Sequence, residues 1–302
     1  LDLGELGIDL TSSAGSDSVY WDIDQDGMAE TSGWVGPQDG LLALDTNSDG
    51  IITDQSELFG TVDTDGFFIL AELDSNEDGT IDANDIAFDD LIVWIDANTD
   101  GHSQEEELVS LTDLGIVSID LNFNVTDYEI NGNTVRSEST YTLTDGTERQ
   151  IVDAWFTYDD VNTTYAQDYT LDIRTLFLPT IRGYGNLPDL HIAMSLDNGE
   201  TGLLELVREV AFTDPSTLFS VDFNFEDKIK EILFKWAGVE DVDPASRGTV
   251  IDARELAFLE QFTDQPFLQN GSNPNPESDA AEILENAFND FYNAFVARVL
   301  VQ

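Results

Sequence analysis

The spacing of apolar positions changes character twice along the chain. From Leu1 to Leu10 apolar and acidic residues alternate, which predicts a strand interrupted near Gly4 and Gly7. A serine-rich turn follows, then the apolar run Val19-Tyr20-Trp21; residues 41–44 predict a short strand. Phe67, Phe68, Leu70 and Ala71 fall at helical spacing, so a helix is expected over 67–73. Beyond Gly115 strict alternation takes over through Val117, Ile119, Leu121, Phe123 and Val125 and continues to about Ile173. Asn131-Gly132 and Asp145-Gly146 interrupt it as hairpin turns, so an antiparallel sheet of four or more strands is expected, packed on the part that precedes it. After Leu178-Pro179 the pattern is helical. Amphipathic helices are expected over 203–212, 227–236, 252–262 and 279–300, the last with a seam of Ile283, Leu284, Ala287, Phe288, Phe291, Tyr292, Phe295 and Val299. The class is α+β, with a loop-and-sheet domain over 1–175 and a helical domain over 176–302.

Between the early apolar runs the chain repeats one phrase: Asp45-Thr46-Asn47-Ser48-Asp49-Gly50, Asp74-Ser75-Asn76-Glu77-Asp78-Gly79 and Asp96-Ala97-Asn98-Thr99-Asp100-Gly101. Each places side-chain oxygens at alternate positions and a glycine where the chain must turn sharply, the opening half of an EF-hand-like calcium loop. The third phrase is completed by the carbonyl of His102, Gln104 and Glu107 at the twelfth position, the full signature. The second is completed by the carbonyl of Thr80, Asp82 and Asp85, a shorter closing ligand. In the first, the carbonyl of Ile51 follows and the closing Glu57 falls one residue late, which predicts a stretched loop or a water in place of one ligand. A fourth version, Asp22-Ile23-Asp24-Gln25-Asp26-Gly27, has Gly33 at its twelfth position and needs Glu30 or Asp39 to close it. Three to four calcium ions are therefore expected.

Asp85 and Asp96 lie so close in sequence that a single short helix is expected to join their loops. The two loops are then expected to pair face to face over Ile81, Phe88, Leu91, Ile92 and Trp94. The imidazole of His102 is expected to point outward, and Glu105 and Glu106 to be solvated carboxylates at the start of a helix rather than a catalytic pair.

Charge sharpens this picture. The formal net charge is −51, and residues 1–150 hold 35 acids against Arg136 and Arg149 alone. Such a stretch repels itself in a compact fold unless cations neutralise it, so calcium is expected to be part of the folded state. Nucleic acid is excluded as a partner, because no basic surface exists to meet phosphate. A content of 41% hydrophobic residues with five Trp argues against disorder. There is no cysteine and no apolar run of membrane-spanning length. Calcium in place of disulfides suits a secreted or cell-surface bacterial protein, and the start at Leu1 reads as a fragment of a longer chain with neighbouring domains.

The runs Trp21 to Gly27, Gly33-Trp34-Val35-Gly36, Asp39-Gly40-Leu41-Leu42, Glu57-Leu58-Phe59-Gly60 and Ala71 to Asp85 resemble the calcium-binding module of large secreted bacterial RTX-type proteins, haemolysin-type toxins and giant adhesins among them. Leu176 to Ser195 is similar to a segment that often follows it. Members commonly carry an Asp-rich loop where this chain has Leu3-Gly4-Glu5-Leu6-Gly7, so a metal site there is weakened or missing.

The resemblance implies a calcium-dependent structural and binding module, with a cell-surface ligand among its expected partners. As an alternative it implies a self-processing module that cleaves an Asp-Pro bond upstream of itself. Inside this chain that dipeptide occurs at Asp214-Pro215 and Asp243-Pro244, which read as ordinary helix starts with proline at the first helical position in preference to cleavage sites. Arg182 to His191 combines a base, an aromatic residue and a histidine, and reads as a hinge in preference to a recognition surface.

Overall fold

Acidic turns interrupt the first half so often that only short strands fit between them. A computed structural model describes residues 1–4, 6–16, 18–218, 220 and 222–301 and divides the chain into two units, Leu1–Asp159 and Asp160–Gln302. In the first, β1 (Val19–Trp21) and β2 (Met28–Ser32) form a hairpin around the Asp22 loop, with Trp21 opposite Glu30. Strand β3 (Leu41–Leu44) runs into the Asp45 loop. Helix α1 (Gly66–Leu70), capped by the Asp65 side chain and continued by a 3-10 turn over Ala71–Leu73, runs into the Asp74 loop, whose exit is β4 (Thr80–Asp82). Strands β5 (Leu91–Trp94) and β6 (Leu108–Ser110) enter and leave the Asp96 loop and pair with β3 in an antiparallel sheet of order β3-β5-β6.

The alternating stretch forms β7 (Ile116–Asp120), β8 (Asn124–Ile130), β9 (Asn133–Leu143) and β10 (Glu148–Trp155). These make an antiparallel sheet of order β10-β9-β7-β4, with β8 also paired to β9. The sheet is thus continuous with the Asp74 loop through β4. Its apolar face buries Ile81, Ile116, Ile119, Tyr141 and Ile151 together with Phe67, Leu70 and Leu91. The unit boundary falls within β11 (Tyr158–Tyr165).

The second unit holds α2 (Leu190–Leu196), α3 (Leu203–Phe212), α4 (Pro215–Leu218), α5 (Phe225–Trp236), α6 (Ala253–Thr263) and α7 (Ser278–Val301). Its core is aromatic: Phe258 meets Phe288 edge to face at 5.5 Å and Phe291 at 5.0 Å, with Phe234, Trp236 and Phe295 around them. The chain is therefore α+β with antiparallel sheets and a helical C-terminal region. Among the described residues no helix is long and apolar enough to cross a membrane.

Several expectations are corrected. The link between Asp85 and Asp96 is a 3-10 turn over Phe88–Asp90 followed by strand β5, not a helix. A central strand covered on both faces reads as an unbroken apolar run, which periodicity alone cannot tell from a buried helix turn. Residues 1–10 contribute only the bridge Leu10–Val35 among the described residues. Asp2 N donates to Gln150 O of β10 (3.0 Å), but three further amides go to carboxylates, Leu3 N to Asp39 Oδ1 (3.1 Å), Asp9 N to Asp39 Oδ2 (2.7 Å) and Gly7 N to Asp2 Oδ2 (3.1 Å). Glu5, in the weakened loop, lies outside the described residues. On α7 Ile283 is 70% exposed and does not belong to the buried seam of Phe288, Phe295 and Val299.

The segment from Arg182 to His191 is a packed turn leading into α2. Gly185 donates its amide to Val161 O, Asn186 N to Gln261 O and Gly183 N to Asp189 Oδ1. Glycine is obligatory at 183, where a Cβ would lie 1.8 Å from the carbonyl oxygen of Leu187. Gly183→Ala is expected to destabilise the second unit by about 1–3 kcal/mol in chemical denaturation. Gly199→Ala, where nothing lies within 4 Å of the added methyl, should change it little.

Candidate metal centre

An aspartate whose two oxygens both accept amides of its own loop folds the chain around itself. All four acidic phrases adopt one hydrogen-bond skeleton of this kind. The first residue (Asp22, Asp45, Asp74, Asp96) accepts the amides of the fifth residue at 3.1–3.2 Å and of the glycine at 2.8–3.0 Å. The third (Asp24, Asn47, Asn76, Asn98) also accepts the fifth amide, at 2.9–3.2 Å. The fifth (Asp26, Asp49, Asp78, Asp100) accepts the seventh amide, from Met28, Ile51, Thr80 and His102, at 2.8–3.1 Å. The backbone is left-handed at the fourth residue and at the glycine, whose φ is 97°, 87°, 84° and 71° in the four loops. The repeated glycine therefore answers to a backbone requirement.

The carboxylates that follow each phrase are withdrawn from water: Glu57 is 1% exposed, Glu30 2%, Asp85 5% and Glu107 7%. Glu57, Asp85 and Glu107 each accept the amide of the ninth residue of their loop, from Thr53 (2.8 Å), Asp82 (3.0 Å) and Gln104 (3.3 Å). The extra residue before Glu57 is absorbed by a 3-10 turn over Gln55–Glu57 that starts at Asp54. Glu30 itself occupies a ninth position and accepts the amide of the second residue, Ile23, at 3.1 Å, as Asp85 accepts that of Ser75 at 2.8 Å. Glu30, Asp22 and Asp24 present carboxylate oxygens all within 4.8 Å of one another. Asp39, the other residue considered for this loop, is committed to the amides of Leu3 and Asp9.

The loops pair differently from expectation. The eighth residues of the Asp45 and Asp96 loops meet: Ile52 N donates to Ser103 Oγ (2.7 Å), and that hydroxyl donates to Ile52 O (3.0 Å). The Asp74 loop instead sends β4 to the other sheet, so Ile81, Phe88 and Leu91 enter one core while Trp94 and Ile92 enter another. Beneath the paired loops Trp21, Trp34 and Trp94 form a triangle with ring centroids 5.2–5.5 Å apart. Two of their indoles donate to loop carboxylates, Trp34 Nε1 to Asp96 Oδ2 at 2.8 Å and Trp94 Nε1 to Glu107 Oε2 at 3.3 Å. Sequence reasoning missed Ser103 and these two indoles. The one available signal was a serine where the other two loops have Ile52 and Ile81.

An all-oxygen donor set of Asp, Asn, Glu and loop backbone suits a hard cation of calcium's kind. One feature fits such an ion: Glu57 Oε1 is buried with no hydrogen-bond partner among the described residues, a state it shares with Asp2 Oδ1 outside the loops. A carboxylate oxygen left so is costly unless a cation meets it. The loops supply none of their own, because no Lys or Arg side chain precedes Arg136. The ion pairs Arg174–Glu205, Lys230–Glu255 and Arg247–Glu260 all lie in the second unit. Burial accordingly pushes the Glu30 carboxyl up to about 8 and raises Asp22 and Asp26, while amides of Asp82 and Ser75 hold Asp85 below the usual range. His102, Glu105 and Glu106 are exposed. Asp214 and Asp243, ahead of their prolines, each accept the amide two residues on, from Ser216 (2.8 Å) and Ala245 (3.0 Å), as turn-forming aspartates do.

The family model of the SPM domain matches residues 1–157, the span of the first unit with its four acidic loops. The chain belongs to the SPM domain family. It is similar to the iron-regulated protein FrpA of Neisseria meningitidis serogroup C, with 35% identity over 246 residues. That alignment covers 78% of this chain, more than the first unit alone supplies, and 21% of FrpA, so the chain spans about a fifth of that relative's length.

The Glu30 carboxyl gives a pH dependence with a definite sign. Its ordinary value is 4.5 and its folded value about 8, so between them the folded state keeps a proton that the unfolded state has released. Stability in the presence of chelator should therefore fall as pH rises from about 4.5 towards 8. Denaturation of the wild type and of Glu30→Gln at both ends of that window checks this: the variant should show the shallower decline.

Proposed function

We propose that the chain is a calcium-dependent structural and binding module of a secreted bacterial RTX-type protein, an adhesin or a toxin. The observation that carries the reading is the shared skeleton of the four acidic loops with a buried carboxylate closing each, Glu57 with an oxygen left unmatched. Asp45, Asn47, Asp49, the Ile51 carbonyl and Glu57 would hold one ion; Asp74, Asn76, Asp78, the Thr80 carbonyl and Asp85 a second; Asp96, Asn98, Asp100, the His102 carbonyl and Glu107 a third; and Asp22, Asp24, Asp26 and Glu30 a fourth. When bound, calcium supplies positive charge and an oxygen-coordination geometry that fixes each closing carboxylate against its loop.

The chain's own residues pass that constraint on. Glu57 ends the turn that leads to Leu58, which bridges β3 at Ala43; Glu107 opens β6; Asp85 precedes the turn into β5. Where calcium is scarce, as in a cytoplasm, the carboxylates repel and the first unit loses stability, which favours an unfolded, exportable chain; outside the cell calcium restores the fold. Membership of the SPM domain family and the similarity to FrpA support the reading, as does the resemblance of the Trp21 to Asp85 runs to RTX-type modules.

Thermal unfolding followed by circular dichroism, in millimolar calcium and in chelator, tests it. Sites of the affinity usual for extracellular modules, at about ten times Kd, stabilise by about 1.4 kcal/mol each, so the calcium form should melt well above the chelated one. An unchanged melting temperature would overturn the proposal. Glu57→Gln should lose part of the calcium-induced gain and Glu105→Gln, at an exposed carboxylate, should keep it. Extended at its N-terminus by a segment carrying an Asp-Pro bond, the chain should also remain a single band on a gel after incubation with calcium; discrete fragments would instead support self-processing.

A further inference from the structure

The first unit contains a pocket of about 390 Å³ that none of the acidic loops' carboxylates lines. Its walls are mainly apolar, with Leu10, Val35, Leu42, Leu58, Phe59 and Phe67 among them. Gln55, Thr61 and Tyr158 add neutral polar groups, and the one charged side chain among the lining residues is Asp153 on β10, only 8% exposed. Its carboxyl is held from several sides: Oδ1 accepts the amide of Gly66 at 3.1 Å and Oδ2 the indole N–H of Trp155 at 2.5 Å. Beside it stands the Asp65 carboxyl, which caps α1 through the amide of Phe67 (2.9 Å) and accepts the hydroxyl of Ser137. The surrounding backbone is shaped to this carboxyl. A Cβ at Gly66 would stand 3.1 Å from Asp153 Oδ1 and 2.9 Å from Phe59 O, so a side chain there would displace one or the other.

Burial first, and the Asp65 charge second, raise the Asp153 carboxyl to about 6, so near neutral pH it is ionised at a cost. The groups that set its proton affinity are Asp65, by charge and by a hydrogen bond, Trp155 and Gly66, none of them a cation; Arg136 stacks on the Trp155 ring, 3.4 Å from its centroid. The chemistry of an occupant follows by elimination. A neutral apolar molecule would fill the space and leave the carboxylate without a counter-charge. An anion would meet two carboxyls in a half-chain that has only two bases. A hydrated metal ion needs more oxygen ligands than mainly apolar walls offer.

We propose that this pocket binds an amphiphilic organic cation, an alkyl or arylalkyl primary ammonium whose apolar body lies along Phe59 and Phe67 while its ammonium pairs with Asp153. Asp65 adds negative potential without lining the pocket, and the Trp155 N–H and Gly66 N–H fix the carboxylate so that it need not reorganise to receive the cation. Of the four acidic loops only Ile23 and Gln55 reach its wall, neither of them a carboxylate assigned to an ion, so with calcium present throughout the binding test can fail without touching the calcium reading.

The test is isothermal titration of the full chain, in calcium-containing buffer, with three probes of one shape: phenethylammonium, 2-phenylethanol and 3-phenylpropionate. Phenethylammonium should saturate one site per chain, the alcohol should bind about tenfold or more weakly, and the carboxylate should not bind. This comparison needs no variant. Asp153→Asn, shown folded by circular dichroism, should lose about tenfold or more in affinity for the ammonium while leaving the alcohol unchanged. Equal affinity for ammonium and alcohol, no saturable binding of the ammonium, or a folded Asp153→Asn that keeps its ammonium affinity would each overturn the proposal.

Discussion

Thirty-five carboxylates and two basic side chains share the first 150 residues, and the architecture of the first unit is an answer to that crowding. Carboxylates this close must each find a donor, a proton or a cation. The structure gives them backbone amides: in every acidic loop the first, third and fifth side chains take N–H groups of the same loop, and the closing carboxylate takes one more. Asp39 and Asp2 draw the amides of residues 3, 7 and 9 in the same manner. Amides orient and partly stabilise a negative charge, but they carry no net charge of their own. The residual repulsion is what makes a bound cation part of the fold on the calcium reading.

The loops are the points from which strands start, so their neutralisation cannot be separated from the core. Leu41–Leu44 enters the Asp45 loop, Leu91–Trp94 enters the Asp96 loop, and the same two segments are neighbours in one sheet. The Ser103 hydroxyl ties the two loops together, and indoles from the tryptophan triangle reach both ends of the Asp96 loop. Change at a carboxylate is thereby felt in a dry aromatic cluster. The second unit follows another logic, with Lys and Arg paired to Glu and Asp on its surface around a phenylalanine-rich core.

Much of this was legible in the sequence for identifiable reasons. Long amphipathic helices announce themselves, and Leu203–Phe212 and Ala253–Thr263 lie within a residue of the spans their periodicity predicts. The Asn131-Gly132 and Asp145-Gly146 turns mark the hairpins of β8, β9 and β10. The acidic phrases could be read because a Gly at a left-handed position after alternating oxygens has few other uses. Partnership between loops was not legible. Adjacency in sequence favoured pairing the Asp74 and Asp96 loops, but Leu91-Ile92-Val93-Trp94 is a central strand, and it carries the Asp96 loop to the Asp45 loop instead. Nor could the sequence show that the amides of residues 3, 7 and 9 go to aspartates, or that Asp65 and Asp153, distant along the chain, stand side by side.

The central claim is that the acidic loops hold calcium as part of the folded unit, and counting the ions tests it most directly. Native mass spectrometry of the folded chain at millimolar calcium, after exchange into volatile buffer, should find about three to four calcium ions per chain, and Asp96→Asn should lower the count by about one. A folded chain that carries no calcium under those conditions would contradict the account.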